Sequence, residues 1–333
     1  MIQSSQISPH ETRQRMFAAI ATLVVGVLVL LLKFWAFNIT KSQAIYSDAL
    51  ESIVNVITAA IGISVVYYAA KPADEDHPYG HGKVEYFSSA FEGGLITFAA
   101  IAVFYGVVQA QLSGTLLFSL ERGMGIIAIA GVINMITGMM LKRVGGKYAS
   151  PALQAAGTHL LIDFWTTVGA LAGVGLVALT GLIWVDRLVA LALGVHMSIA
   201  GFKIIRKSLA HLLDAEDLKL LGRLAQIFES HAGDGIIQIH HTKVIRAGWF
   251  HHIDAHVVVP EFWTIEKSHD RLDIFENAVI GDYEYGGEMN FHLDPCRRKY
   301  CSVCDYQNCP VRVSPFTARI PVVLEHLRSK TEP

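Results

Sequence analysis

The sequence predicts a polytopic α-helical membrane protein with six transmembrane helices, followed by a small α+β domain in water. Three observations carry that prediction. Of the 333 residues, 52% are apolar and only 17% charged, against about 25% charged in an average soluble domain. The charges are unevenly spread: residues 52–70, 93–120, 123–141 and 164–185 contain none, whereas the chain beyond residue 209 is rich in Asp, Glu, Lys and His. The apolar stretches are also long enough to cross a hydrocarbon core, which takes about 20 residues at 1.5 Å rise each. This balance excludes an ordinary soluble enzyme, because six buried apolar helices would find too few partners in so short a chain.

The spans read as about 16–37, 44–70, 86–110, 123–144, 152–180 and 184–206. Arg13 and Arg15 before the first give it the look of a signal peptide, but its apolar run is too long and no small-residue cleavage site follows. Basic residues set the orientation. Arg13 and Arg15, Lys71 and Lys83, Lys142, Arg143 and Lys147, and Lys203, Arg206 and Lys207 mark alternate ends, while the opposite connections carry only Lys41, Arg122 and Arg187. The positive-inside rule then places both termini in the cytoplasm, with the plasma (inner) membrane as the expected location.

After the sixth span the pattern changes. Residues 214–231 carry Leu218, Leu221, Leu224, Ala225 and Phe228 at helical spacing behind an acidic start, Asp214, Glu216 and Asp217. Residues 235–246 and 249–259 read as strands joined at Ala247-Gly248, a second helix follows at about 264–280 and a short strand at 288–294. The expected order is α-β-β-α-β. On the second strand His252, Asp254 and His256 share one face, as do His292 and Asp294 on the last.

Ionisable side chains inside a span cost at least a few kcal/mol, so they face the bundle interior and mark an ion path. The second span carries Asp48, Glu51 and Asn55 on one helix face, and the fifth carries His159 and Asp163 at i, i+4. Two such helices can surround one ion with four ligands. Imidazole, carboxylate and amide oxygen suit a tetrahedral divalent ion such as Zn²⁺, and Mn²⁺, Fe²⁺ or Co²⁺ accept the same mixture. The alternative use of these groups is interhelical hydrogen bonding. Asp48 is expected to support the site or line its approach.

Three segments together resemble the cation diffusion facilitator family. They are Ser47-Asp48-Ala49-Leu50-Glu51-Ser52-Ile53-Val54-Asn55, His159-Leu160-Leu161-Ile162-Asp163, and Asp74-Glu75-Asp76-His77-Pro78-Tyr79-Gly80-His81-Gly82-Lys83. The resemblance covers about residues 16–295 and implies a dimeric exporter that exchanges divalent metal for protons across a lipid bilayer. It also implies a metallochaperone-like cytoplasmic domain. By position it implies a transport site at Glu51, Asn55, His159 and Asp163, a loop site at Asp74, His77 and His81, and a cytoplasmic site at His240, His256, His269, His292 and Asp294. Lys83 and Asp214 match a pair that locks two protomers. Many members have Asp or His at the position of Glu51 and Asp at that of Asn55, a departure that leaves the cargo open among Zn²⁺, Fe²⁺, Mn²⁺, Co²⁺ and Cd²⁺. The expected domains are then 1–208 for transport, 209–295 for metal binding and dimerisation, and 296–333 as a cysteine-rich extension.

All four cysteines lie in that extension, as Cys296-x4-Cys301-x2-Cys304-x4-Cys309. A disulfide is not expected in the cytoplasm. A zinc knot, an iron-sulfur cluster and free thiols all remain open, with Arg297, Arg298 and Lys299 expected to favour thiolates. Function reads as proton-coupled efflux of a divalent metal, with a membrane-bound metal sensor or a redox protein as the alternatives. No Walker-type phosphate loop is present, so ATP-driven pumping is not expected, and neither is nucleic-acid binding.

Overall fold

The computed structural model describes residues 9–69, 71–113, 117, 119–147 and 151–330. Residue 70 at the end of the expected second span, part of the 111–122 connection and the two chain ends lie outside the described residues. So do the side chains of Arg15 and Lys147. The chain divides into two compact units: the long helices up to Ala210 form one, and Lys71–Lys83 with the chain from His211 onward form the other.

The first unit contains α1 (Pro9–Thr40), α2 (Gln43–Ala69), α3 (Val84–Leu112), α4 (Leu120–Lys147), α5 (Pro151–Thr180) and α6 (Trp184–Leu212). Each includes a segment long and apolar enough to cross a bilayer. The helices overrun the expected spans, because hydropathy marks only the lipid-crossing part while backbone hydrogen bonding carries the helix on. Phe98, Trp165 and Leu179 are 70%, 68% and 87% exposed, a surface suited to lipid and not to water. Inside, Ala36, Ile45, Ile127, Ala170 and Val174 join α1, α2, α4 and α5, and Val54, Ala100, Val103 and Met197 join α2, α3 and α6. Small residues permit the closest crossing: a Cβ on Gly157 of α5 would stand 2.7 Å from the Gly138 carbonyl oxygen of α4. Asp186 of α6 caps α2, accepting from Ser42 Oγ (2.5 Å), Gln43 N (2.7 Å) and Ala44 N (3.3 Å). A buried carboxylate there satisfies amides that the helix start would otherwise leave bare.

The second unit holds α7 (Leu218–His231), β1 (Gln238–Ala247), β2 (Phe250–Val259), α8 (Ile265–Asp282), β3 (Gly286–Pro295) and the short α9 (Leu324–Arg328). The sheet order is β1-β2-β3, antiparallel and then parallel. Helix α7 starts at 218 and not 214 because Asp217 is its N-cap, accepting from Lys219 N (3.0 Å) and Leu220 N (3.2 Å), and Asp214 has φ +51°. Burial pushes the Asp217 carboxyl up, but those amides and the Arg246 charge outweigh it and hold it below the usual range. One sheet face packs on α7 and α8 through Leu224, Phe228, Ile253, Val257, Phe275 and Val279. The alternate residues of β2 and β3 point the other way, as the strand period requires.

Candidate metal centres

In the helical unit, three of the four expected transport residues touch. Asn55 Nδ2 donates to Asp163 Oδ2, and His159 Nε2 lies 2.7 Å from Asn55 Oδ1 and 3.7 Å from Asp163 Oδ1. Glu51 stands one turn back along α2 and is tied in by Thr166, whose hydroxyl donates to Glu51 Oε2 (3.1 Å). Asp163 is fully buried, and its Oδ1 accepts no hydrogen bond among the described residues. An anionic oxygen in that position is costly unless a cation or a proton meets it. The donor set of two carboxylates, an imidazole and an amide oxygen fits a divalent ion. Asp48 supports the arrangement from one turn further back. Its Oδ1 accepts from Lys33 Nζ (2.8 Å) and Thr167 Oγ1 (2.9 Å). Lys33, not among the expected site residues, carries its own signal in the sequence, as a charged residue within an apolar span.

The loop residues form a second cluster, with ligand atoms of Asp74, His77 and His81 mutually within 4.8 Å. Asp74 Oδ1 accepts from the His77 amide (2.7 Å) and lies 3.1 Å from His77 Nδ1, while Asp74 Oδ2 lies 3.3 Å from His81 Nε2. The slight desolvation of Asp74 is outweighed by the His77 hydrogen bonds and the neighbouring imidazoles, so its carboxyl sits below the ordinary value. The loop is seated on the β1–β2 hairpin. A Cβ at Gly82 would fall 2.0 Å from the Ala247 carbonyl oxygen, and His252 lies between Tyr79 O (3.3 Å) and Glu288 Oε1 (2.8 Å).

On the sheet, His240, His256 and His292 occupy the same register on β1, β2 and β3. Asp294 lies beside all three: Oδ2 is 3.0 Å from His256 Nδ1 and 3.6 Å from His240 Nε2, and Oδ1 is 3.6 Å from His292 Nε2. His269 is not gathered with them. It lies on α8, 72% exposed, 3.8 Å from its neighbour Asp270. The structure instead brings in His241, which the sequence reading did not single out. A bulge after His240 gives His241 φ +48° and sets its ring 4.9 Å from that of His256. Desolvation, helped by the charges of Lys243 and His256, lowers the pKa of His241. Lys83 Nζ and Asp214 Oδ2 meet at 2.8 Å within this one chain.

The four cysteine sulfurs are not gathered as the ligand atoms of the loop and the sheet are. Among the described residues no three of their sulfurs lie within 4.8 Å of one another, and none of the four is in a disulfide. The physical reason is that Cys296 and Cys304 are used as apolar side chains, packed with Tyr300 against Ile237 and Val258. Burial pushes the Cys304 thiol up despite the nearby Arg312. The Arg312 donors go to the carbonyl oxygens of Cys301 (2.7 Å), Cys304 (3.0 Å) and Tyr306 (2.6 Å).

Comparison with known proteins agrees with this layout. The family described as "Cation efflux transmembrane domain" matches residues 19–213, and that described as "Cation efflux protein, cytoplasmic domain" matches residues 217–296. An uncharacterized transporter of Synechocystis sp., sll1263, is 34% identical over 278 residues, covering 83% of this chain and 89% of that protein. The cation-efflux pump FieF of Salmonella newport is 26% identical over 284 residues, covering 84% of this chain and 92% of the pump. Members of these families are transporters and not enzymes. With six membrane-crossing helices ahead of an α+β domain, the chain belongs to the cation diffusion facilitator family.

Proposed function

We propose that this protein exports a divalent transition metal, with Zn²⁺ as the preferred cargo, in exchange for protons and as a homodimer. The contact among Asn55, His159 and Asp163, with Asp163 Oδ1 accepting no hydrogen bond among the described residues, is the observation that carries this reading. Neutralising M²⁺ in a low-dielectric bundle needs carboxylates and an imidazole, and release needs those ligands to prefer something else. Protons meet that need. Metal from the cytoplasm binds Glu51, Asn55, His159 and Asp163; the protomer opens outward; His159 and a carboxylate take up protons as the metal leaves; and the return delivers H⁺ inside. Both termini then face the cytoplasm and the protein resides in the plasma membrane.

In this scheme residues 1–208 form the transport domain, 209–295 the cytoplasmic metal-binding and dimerisation domain, and 296–333 its extension. The row His240, His256, His292 with Asp294 takes cytosolic metal, with His269 as a ligand contributed from outside the row. Asp74, His77 and His81 form a further site on the loop, and Lys83 with Asp214 braces the dimer. The test uses full-length protein in proteoliposomes with a metal-sensitive dye and an imposed pH gradient. Asp163→Ala is expected to abolish Zn²⁺ uptake while the protein still elutes as a folded dimer. Uptake at the parent rate in Asp163→Ala sinks the site, and uptake indifferent to the pH gradient sinks the proton coupling.

A further inference from the structure

Between residues 16 and 40 a single residue carries a formal charge, Lys33. Its side chain is wholly buried in α1, with Nζ donating to Asp48 Oδ1 (2.8 Å) and 3.5 Å from the Asp48 carbonyl oxygen. Asp48 is equally buried, and its Oδ2 has no hydrogen-bond partner among the described residues. The pair adjoins the transport residues. Asp48 lies one turn before Glu51 on α2, and its partner Thr167 follows Thr166, which holds Glu51, one turn beyond Asp163 on α5.

Stability does not explain such a pair. Removing two charges from water costs several kcal/mol per ion, and well-packed apolar side chains of the same volume do as well or better. Charge does explain it. The seam between α2 and α5 holds three carboxylates, Asp48, Glu51 and Asp163, while Asn55 adds none. With the Lys33 ammonium fixed on Asp48, two remain uncompensated within the seam, which matches a divalent cation; Glu92 of α3, whose charge also reaches His159, lies outside the seam. Without it a third would face the cargo in a medium where each charge acts strongly.

We propose that Lys33 sets the charge of the transport site: a tethered ammonium that occupies Asp48, so that a divalent cargo meets two free carboxylates, binds and can leave again. The inference rests on the transport reading above. It makes Lys33 a positioning residue, acting through Asp48 and not by touching metal.

The test compares Lys33→Gln, Asp48→Asn, the double variant Lys33→Gln/Asp48→Asn and Lys33→Arg, all full-length in proteoliposomes, by KM and kcat for Zn²⁺. Lys33→Gln leaves an extra negative charge, so KM falls about tenfold and kcat falls with it as release slows. Asp48→Asn leaves a bare ammonium, so KM rises about tenfold. The double variant and Lys33→Arg return KM to within about threefold of the parent. A merely structural pair moves both single variants in the same direction, and that result overturns the proposal. If a single variant fails to reach the membrane, the double variant decides, because a tenfold shift of its KM overturns the charge balance and a parental KM upholds it. Asp163→Ala runs alongside. Transport surviving that change sinks the site reading itself, whereas its loss together with same-direction shifts in the single variants sinks only the role of Lys33.

Discussion

The polar cluster of the helical unit and the histidine row of the sheet use overlapping side-chain chemistry but are assembled differently. In the bundle, the residues come from two helices at i, i+4 spacing, mix oxygen with nitrogen, and end on a fully buried carboxylate, Asp163. On the sheet, each of three strands lends one histidine at one register, and the row opens outward, from 3% exposed at His240 to 67% at His292. On the function proposed above, the difference separates two uses of metal. A site between helices that ends on the buried Asp163 and keeps His159 only part-exposed suits a cargo handed from one side to the other. An open row on a rigid sheet fills and empties without rearranging the fold, which suits sensing and leaves its outer edge free for a further ligand.

The sharpest way to break that contrast is to remove one imidazole from each cluster. His159→Ala is expected to cut Zn²⁺ uptake about a hundredfold or more even at saturating metal, since the site loses its one imidazole ligand. His256→Ala is expected to leave saturated uptake within about threefold of the parent but to raise the metal concentration needed for half-maximal rate about tenfold. The two curves come from one proteoliposome titration. Similar losses in kcat for both variants would mean that the row belongs to the transport path.

A smaller effect is expected at Asn55. Replacing the amide by a carboxylate in Asn55→Asp adds a negative oxygen ligand to the closed site, and the preference order among Zn²⁺, Fe²⁺, Mn²⁺, Co²⁺ and Cd²⁺ should shift by about tenfold for at least one pair. The same competition assay on Asn290→Asp, whose parent amide donates to Asp254 two residues before the histidine row, should leave the order unchanged. An unaltered order in Asn55→Asp would show that selectivity is set elsewhere.

The two clusters were also unequally legible in the sequence. Residues on one helix face sit three or four apart, so the cluster of Glu51, Asn55, His159 and Asp163 could be read from spacing. The six spans followed from long apolar runs, four of them with a charge-free stretch, and the α-β-β-α-β elements lie within a few residues of their expected bounds, while the short α9 had no signal in the sequence. Register between strands is a long-range property, and there the reading lost precision. It could not foresee the bulge that turns His241 toward His256, or that His269 lies away from the row. Lys33 was readable in principle, but its partner lies 15 residues on in the next helix, so only packing shows that Asp48 is occupied. The cysteine spacing left a zinc knot, an iron-sulfur cluster and free thiols open, because spacing carries no information on burial, and only packing shows Cys296 and Cys304 among core residues.

The mildest prediction concerns the sheet's other face, where His251 points away from the open row and into the core. Its Nδ1 lies 2.6 Å from the Tyr283 hydroxyl, and its ring stacks on Tyr285 at 4.4 Å. Desolvation, reinforced by the charge of Arg246, lowers its pKa to about 4. The unfolded imidazole titrates near 6.5, so between those values the unfolded chain binds a proton that the folded domain refuses. The contribution of His251 to stability is therefore complete above about pH 6.5 and is lost as pH falls towards about 4. From about pH 7.5 to 5.5 the loss amounts to roughly 1 kcal/mol. Hydrogen exchange of the β2 amides in the full-length protein, corrected for the intrinsic rate, reads it as a drop in protection of several-fold. In His251→Phe, which keeps the ring contact but has no proton to bind, protection is lower throughout and its slope with pH is flattened. An equal slope in parent and variant would move the acid response of this domain from its core to its histidine row.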